Sequence, residues 1–245
     1  EMAPPYPDSA MAALASPVME KVAALESLGR SDLAEAELRF AARVSETPEV
    51  ILAMAQALSE RGRVYAAFSL ARPFVADDPY APEAFWRLAY PRPYTETVTR
   101  RAAEYAVEPE LIWAVMRQES TFKEEVTSSA GAMGLMQLMP ANVTDFGQAS
   151  DAAYVPGDAY GPEVNIRIGV WHLGTLLKYY DGDQELALMA YNAGPGNMDK
   201  WLADPLNADR DDFLRFIPYG ETREYLARVS RNYLIYRALY ARDSS

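Results

Sequence analysis

Pro109-Glu110-Leu111-Ile112-Trp113-Ala114-Val115-Met116-Arg117-Gln118-Glu119-Ser120-Thr121 opens on a proline, which suits the first turn of a helix because its missing N–H is not needed there. Ile112, Val115 and Glu119 follow at i, i+3 and i+7, so a carboxylate ends an otherwise apolar helical stripe. A helix is predicted over 110–121. A carboxyl held against apolar neighbours loses hydration in its ionised form, so its pKa rises and it can stay protonated near neutrality, as a general acid must.

Outward from this helix the chain keeps helical spacing. Thr95–Ala106, Pro140–Phe146, Glu163–Tyr180, Glu185–Tyr191 and Thr222–Arg242 are further candidates. Between Met11 and Leu88 alanine and leucine dominate with helical periodicity, and no alternating β-branched run occurs. The fold class expected is all-α. Pro91 and Pro93, in Tyr90-Pro91-Arg92-Pro93-Tyr94, block helix continuation and mark a boundary between residues 1–90 and 91–245.

The first region carries an internal repeat. Laid on itself at an offset of 33, Ala24, Leu25, Gly29, Arg30, Ala34 and Arg39 meet Ala57, Leu58, Gly62, Arg63, Ala67 and Arg72. A glycine that caps one helix, followed by small residues that let the next pack closely, is what a helical-hairpin solenoid requires. The period resembles that of tetratricopeptide-type repeats, although two units fall short of the three that usually stabilise such an array.

Composition narrows the function. The 245 residues are 50% hydrophobic and 24% charged, with 23 Lys and Arg against 35 Asp and Glu, a formal charge of −12. An acidic chain lacks the cationic surplus that phosphate backbones select, so nucleic acid is not an expected partner. Apolar runs such as Leu111–Met116 are far short of the roughly 20 residues a bilayer demands, and no membrane span is expected. Cysteine is absent and His172 is the only histidine, which removes thiol chemistry, catalytic triads and histidine-based metal clusters. His172 reads as structural, distant in sequence from the other candidates. No metal or cofactor is expected. Glu1-Met2-Ala3-Pro4-Pro5 lacks the basic and apolar regions of an export signal.

Two more stretches carry chemistry. Ser128-Ser129-Ala130-Gly131-Ala132-Met133-Gly134-Leu135-Met136-Gln137-Leu138-Met139-Pro140 begins with small residues that let backbone approach a ligand, then offers an amide and adaptable thioethers. In Ala190-Tyr191-Asn192-Ala193-Gly194-Pro195-Gly196-Asn197 an apolar helix runs into a Gly-Pro-Gly turn bearing a phenol and an amide, which suit the faces and edges of a sugar.

Gln118-Glu119-Ser120, Gly134 to Pro140 and Ala190 to Gly196, joined by Asn165-Ile166-Arg167-Ile168-Gly169 and Ile217-Pro218-Tyr219-Gly220-Glu221-Thr222-Arg223-Glu224-Tyr225, occur in this order and spacing. Together they closely resemble the family 1 lytic transglycosylases of the soluble lytic murein type, whose catalytic domain is goose-lysozyme-like. The resemblance covers about Tyr90 to Tyr240. It implies a lysozyme-like helical domain, preceded here by the short solenoid-like region, that cleaves the β-1,4 bond between N-acetylmuramic acid and N-acetylglucosamine in peptidoglycan and leaves 1,6-anhydromuramoyl ends. Glu119 matches the single catalytic acid, and the sugar's own C6 hydroxyl replaces the nucleophile or water that two-carboxylate glycosidases need.

By the same resemblance, Ser128 hydrogen-bonds near the acid, Gln137 and Met139 contact the sugar flanking the scissile bond, Tyr191 stands close to the acid, Asn192 supplies a groove amide and Glu221 lies on the far wall. Glu124, Glu125 and Asp145 are the other carboxylates in range by sequence, and Glu124 and Glu125 read as solvated loop charges. Ser120 reads as a helix-end hydrogen-bonding residue. The expected partners are peptidoglycan strands, the expected state a monomer and the expected compartment the periplasm. A muramidase of the same fold and a non-catalytic wall-binding scaffold are the alternatives.

Overall fold

The computed structural model describes residues 8–45, 47–76, 78–149, 156–204, 209, 213–214 and 217–241, with side chains from residue 17 onward except at Pro156. The amino-terminal residues on which the export-signal reading rests, and Arg242, lie outside these. Every regular element among the described residues is helical. The chain divides into two compact units, Glu1–Pro93 and Tyr94–Ser245.

The first unit holds α1 (Asp8–Ser27), α2 (Ser31–Val44), α3 (Pro48–Glu60), α4 (Val64–Ala76) and α5 (Glu83–Ala89). The repeat seen at offset 33 is a repeat of hydrogen bonds. Gly29 N–H donates to Glu26 O and Arg30 N–H to Leu25 O, both at 2.9 Å; Gly62 N–H donates to Ser59 O and Arg63 N–H to Leu58 O, again both at 2.9 Å. This pair of bonds closes a helix C-terminus in a Schellman motif, which needs one left-handed residue. Gly29 and Gly62 supply it, at φ +70° and +71°. Ala34 and Ala67, the small residues one turn later, are buried, so α2 and α4 lie close against their predecessors. Deeper in, Phe74 stacks on Phe85 with ring centroids 4.2 Å apart.

The second unit holds α6 (Thr95–Tyr105), α7 (Pro109–Glu119), α8 (Pro140–Ala149), a 3-10 turn at Pro156–Tyr160, α9 (Pro162–Tyr179), α10 (Gln184–Ala193), α11 (Pro195–Ala203) and α12 (Gly220–Tyr240). Leu111 through Met116 are all buried, so α7 is apolar all round and runs through the interior. It lies along α12. Trp113 stacks on Tyr236 at 6.2 Å, Arg117 Nη1 donates to Asn232 Oδ1 at 2.9 Å and Tyr233 donates to Glu108 at 2.6 Å. These ties fix the register between the two helices and so the meeting of Glu119 with the first turns of α12.

Several element ends differ from the sequence expectation: α8 runs on past Phe146 to Ala149, α10 past Tyr191 to Ala193, and α12 begins at Gly220 rather than Thr222. α7 stops at Glu119, two residues early, because Ser120 Oγ turns back to bond Met116 O at 3.1 Å and Leu135 O at 2.8 Å. Ser120 is thus the helix-end hydrogen-bonding residue. The Gly-Pro-Gly stretch is also less of a turn than its composition suggests. Gly194 alone, at φ +84°, separates two helices, and Pro195 begins α11 at the first-turn position that favours proline.

Candidate active site

Glu119 is the last residue of α7. Its Oε1 accepts a hydrogen bond from the Tyr225 hydroxyl at 2.8 Å. Oε2 takes none from the described residues, and Glu119 is half-buried, so one oxygen is anchored while the other keeps its hydrogen-bonding capacity. Burial pushes the carboxyl up to about 7, the charge of Glu221 adds to the shift, and the Tyr225 bond opposes it. The negative end of the α7 dipole acts in the same upward direction. At neutral pH a substantial fraction of Glu119 therefore carries its proton.

Facing the carboxyl are phenols that stay neutral. Burial raises both Tyr191 and Tyr225 well above the ordinary tyrosine range, with the Glu119 charge adding in each case. Both are hydroxyl donors across the physiological range. Tyr225 uses its donor on Glu119, and Tyr191 donates to the Met136 carbonyl at 2.8 Å.

The segment from Ser120 to Met139 forms the loop beside the acid. Its backbone bends in unusual ways, with Thr121, Phe122 and Gln137 all at positive φ (50°, 65° and 49°). Cross-bonds brace it. Met133 and Leu138 exchange backbone bonds at 2.9 and 3.0 Å, and Gly134 N–H donates to Val126 O at 2.9 Å. Underneath, the fully buried Asn165 of α9 accepts from Met136 N–H at 2.7 Å and donates to Met133 O at 2.9 Å and Ala159 O at 2.5 Å. The backbone can come this close only because residue 134 is glycine. It sits at φ +72°, and a Cβ there would lie 2.3 Å from the Asn165 amide nitrogen.

The sequence-predicted residues fall into three groups. Glu119, Tyr191, Asn192 and Glu221 are brought together: Asn192 Oδ1 accepts from the buried Thr222 at 2.8 Å, Glu221 is exposed in the first turn of α12 and its charge reaches Glu119. Ser128, Gln137 and Met139 belong to the loop. Ser128 Oγ accepts from Ala132 N–H at 3.0 Å, so in the unliganded protein it closes a turn rather than bonding Glu119. Gln137 Nε2 donates to Gly134 O at 2.9 Å and Val126 O at 3.3 Å, leaving its amide oxygen available, while Met139 is 41% exposed. The remaining carboxylates stay apart. Glu124 accepts from Tyr94 at 2.5 Å, and Glu124, Glu125 and Asp145 are all exposed.

Sequence reasoning did not single out Tyr225, Thr222 or Asn165. Tyr225 was findable, since Glu221 and Tyr225 are one helical turn apart and share a face. Asn165 is a lone amide among apolar residues on the inner face of α9, a pattern that signals a buried polar anchor. His172 is also closer than its sequence distance suggests. Its ring packs on Tyr191 with centroids 5.2 Å apart, because α9 and α10 lie side by side. Among the described residues no group of three or more His, Asp or Glu side chains could hold a metal ion.

An all-helical, lysozyme-like unit with one desolvated carboxyl at the end of a buried helix defines the class. Residues 96–214 match the family model of the Transglycosylase SLT domain, and the chain is homologous to the soluble lytic murein transglycosylases. The soluble lytic murein transglycosylase of Salmonella typhimurium is 35% identical over 156 residues, which are 62% of this chain and 23% of that relative. The transglycosylase of Enterobacteria phage PRD1 is 39% identical over 108 residues, 44% of this chain and 37% of its own. The crystal structure of the 70 kDa soluble lytic transglycosylase of Escherichia coli superposes with a TM-score of 0.74 at 26% identity, covering 97% of this chain and 38% of that one. The chain thus spans about a quarter of the length of the curated soluble relatives it matches.

Proposed function

We propose that this chain is a peptidoglycan lytic transglycosylase, with residues 91–245 as the catalytic domain and residues 1–90 as a solenoid-like accessory. The observation that carries the reading is the setting of Glu119: a buried carboxyl raised to about 7 at the end of α7, with one oxygen bonded by Tyr225 and, among the described residues, Glu221 the carboxylate whose charge acts on it. One carboxyl suffices when the substrate provides its own nucleophile.

In the reaction, Glu119 delivers its proton to the glycosidic oxygen between N-acetylmuramic acid and N-acetylglucosamine as that bond breaks and positive charge develops at the muramoyl C1. The resulting carboxylate keeps the Tyr225 donor, which steadies its charge. It then takes the proton from the C6 hydroxyl as that oxygen bonds C1. The 1,6-anhydro ring closes, Glu119 is protonated again and no water is consumed. Gln137, Met139, Tyr191 and Asn192 serve as sugar contacts in the groove, Ser128 bonds close to the acid once substrate is bound, and Glu221 keeps the acid protonated by repulsion. The site of action is the periplasmic face of the bacterial wall, with the protein working as a monomer.

Digestion of purified sacculi followed by mass spectrometry tests this. Anhydromuramoyl ends, one water lighter than hydrolysed ends, are expected from the wild type. The Glu119→Gln variant should lose about 100-fold or more of the rate, the span general acid–base groups supply. Reducing ends would mean a muramidase instead, and full activity in Glu119→Gln would mean that the acid is elsewhere. Because Glu119 must carry its proton, activity should fall as pH rises through about 7.

A further inference from the structure

Asn165, Gly169 and His172 stand at i, i+4 and i+7 on α9, so they share one helix face. All three bear on the same place. Asn165 holds the Met136 N–H at 2.7 Å. Gly169 lies so close to Met136 that a Cβ would come within 2.4 Å of its sulfur. His172 lays its ring against Tyr191 at 5.2 Å and 47°, and Tyr191 returns to the Met136 carbonyl at 2.8 Å. Neither nitrogen of His172 has a hydrogen-bond partner among the described residues. The imidazole is instead placed by ring contacts, tilted at 47° against Tyr191 and at 38° to the neighbouring Trp171, whose ring centroid is 6.4 Å away.

We propose that His172 is a positioning residue of the active site, whose neutral ring fixes Tyr191 beside Glu119 and whose protonation frees that ring and shuts activity off at acid pH. The proposal rests on Glu119 being the catalytic acid. Among the described residues, three groups face His172. Asp145 on α8 is the charge that favours its protonation, α10 presents the neutral Tyr191, and the neighbouring side chain of α9 is Trp171. Burial outweighs Asp145 and lowers the imidazole to about 4.

The sign is fixed by that lowering. The unfolded or swung-out ring titrates near 6.5, so the packed state has its full advantage above 6.5 and loses it progressively as pH falls from 6.5 to about 4. The difference amounts to about 300-fold in the balance between ring packed and ring released. An imidazolium beside the Tyr191 ring would gain some cation–π attraction, but the lowered pKa means that lost hydration wins. Activity is then confined to a window with Glu119 protonated and His172 neutral.

The experiment compares wild type, His172→Phe and His172→Ala across pH 3.5 to 8 in two readouts: kcat and KM on purified glycan, and the near-UV circular dichroism of the tyrosines. His172→Phe, an uncharged ring, should hold kcat at pH 6 within about threefold and lose the acid limb, and its tyrosine signal should not titrate below pH 6. His172→Ala should lose about ten- to hundredfold in kcat with a much smaller change in KM, because a misplaced wall slows chemistry more than binding. Wild-type kcat in His172→Ala, or an unchanged acid limb in His172→Phe, overturns the proposal. If the wild type releases no product at any pH, it is the catalytic reading that fails, and the tyrosine titration still decides whether His172 positions Tyr191. Should His172→Ala not fold, the His172→Phe profile and titration carry the test alone.

Discussion

The two units solve the same problem, packing helices around turns, by different means. In the first, the positive-φ positions among the described residues are Gly29 and Gly62, and the buried side chains from Val22 to Tyr90 are apolar. In the second, Tyr94, Ala106, Thr121, Phe122, Gln137 and Asp181 take positive φ without being glycine, and Ser120, Asn165, Thr222 and Asn232 are buried with their polar groups. Three of those strained residues lie in the loop beside Glu119, and all four of those buried polar residues bond directly to the elements around it. Departures from local preference cost about 1–3 kcal/mol each and persist where the surroundings over-determine them. Such conflict between local and global demands gathers at functional sites. The first unit is a locally consistent scaffold, while the second spends stability to hold a carboxyl and its walls in place.

The contrast can be broken most forcefully at Asn165. Replacing it by leucine strips partners from the Met136 N–H and from the Met133 and Ala159 carbonyls. Buried unsatisfied groups cost about 1–3 kcal/mol apiece, so Asn165→Leu should lower stability by about 3 kcal/mol or more in urea unfolding. Lysis should fail at urea concentrations where the wild type still works. A loss under 1 kcal/mol would mean that the loop beside Glu119 does not depend on its buried anchor.

Glu119 itself sharpens the comparison through pH. A carboxyl raised to about 7 in the fold but ordinary when unfolded adds no penalty below about 4.5, and destabilises increasingly as pH rises from there through 7. Glu119→Gln should therefore slow lysis by about 100-fold or more while stabilising the protein at pH 8, by up to about 3 kcal/mol, with no gain at pH 4.5. The alkaline limb of activity should also move in opposite directions in two variants. Glu221→Gln removes the repelling charge and shifts it to lower pH. Tyr225→Phe removes the bond that favours ionisation, shifts it to higher pH, and costs about tenfold in rate, as a hydrogen bond to a charged group is worth. Parallel shifts would contradict the assigned causes.

Much of this was legible in the chain itself. Helical spacing predicted the helices of both units, because amphipathic periodicity is written residue by residue, and the apolar stripe ending at Glu119 pointed to a raised pKa. What escaped was written in pairs far apart. Tyr225 reaches Glu119 across 106 positions, and His172 meets Tyr191 only because two helices lie side by side. α11 was missed for a local reason, since Gly-Pro-Gly reads equally as a turn or as a cap followed by a helix start. The early end of α7 was set by the Ser120 hydroxyl reaching Leu135 O, a tertiary bond that no spacing rule contains.

The first unit gives the smallest and most symmetrical prediction. Gly29 and Gly62 share the same φ to within a degree, the same pair of capping bonds and the same open space, with nothing within 4 Å of an added Cβ. Alanine at either position meets no clash, so its cost is the left-handed backbone alone, about 1–2 kcal/mol, reduced by the smaller entropy of the unfolded chain. Gly29→Ala and Gly62→Ala should thus lower the unfolding free energy by equal amounts, within about 0.5 kcal/mol, and their effects should add in the double variant. Neither should shift the pH profile of lysis, since Tyr225 and Glu221, the groups that set the Glu119 carboxyl, both belong to the second unit. Unequal costs at the two glycines would show that the offset of 33 repeats letters without repeating energetics, and that one of the two turns is held by something other than its Schellman bonds.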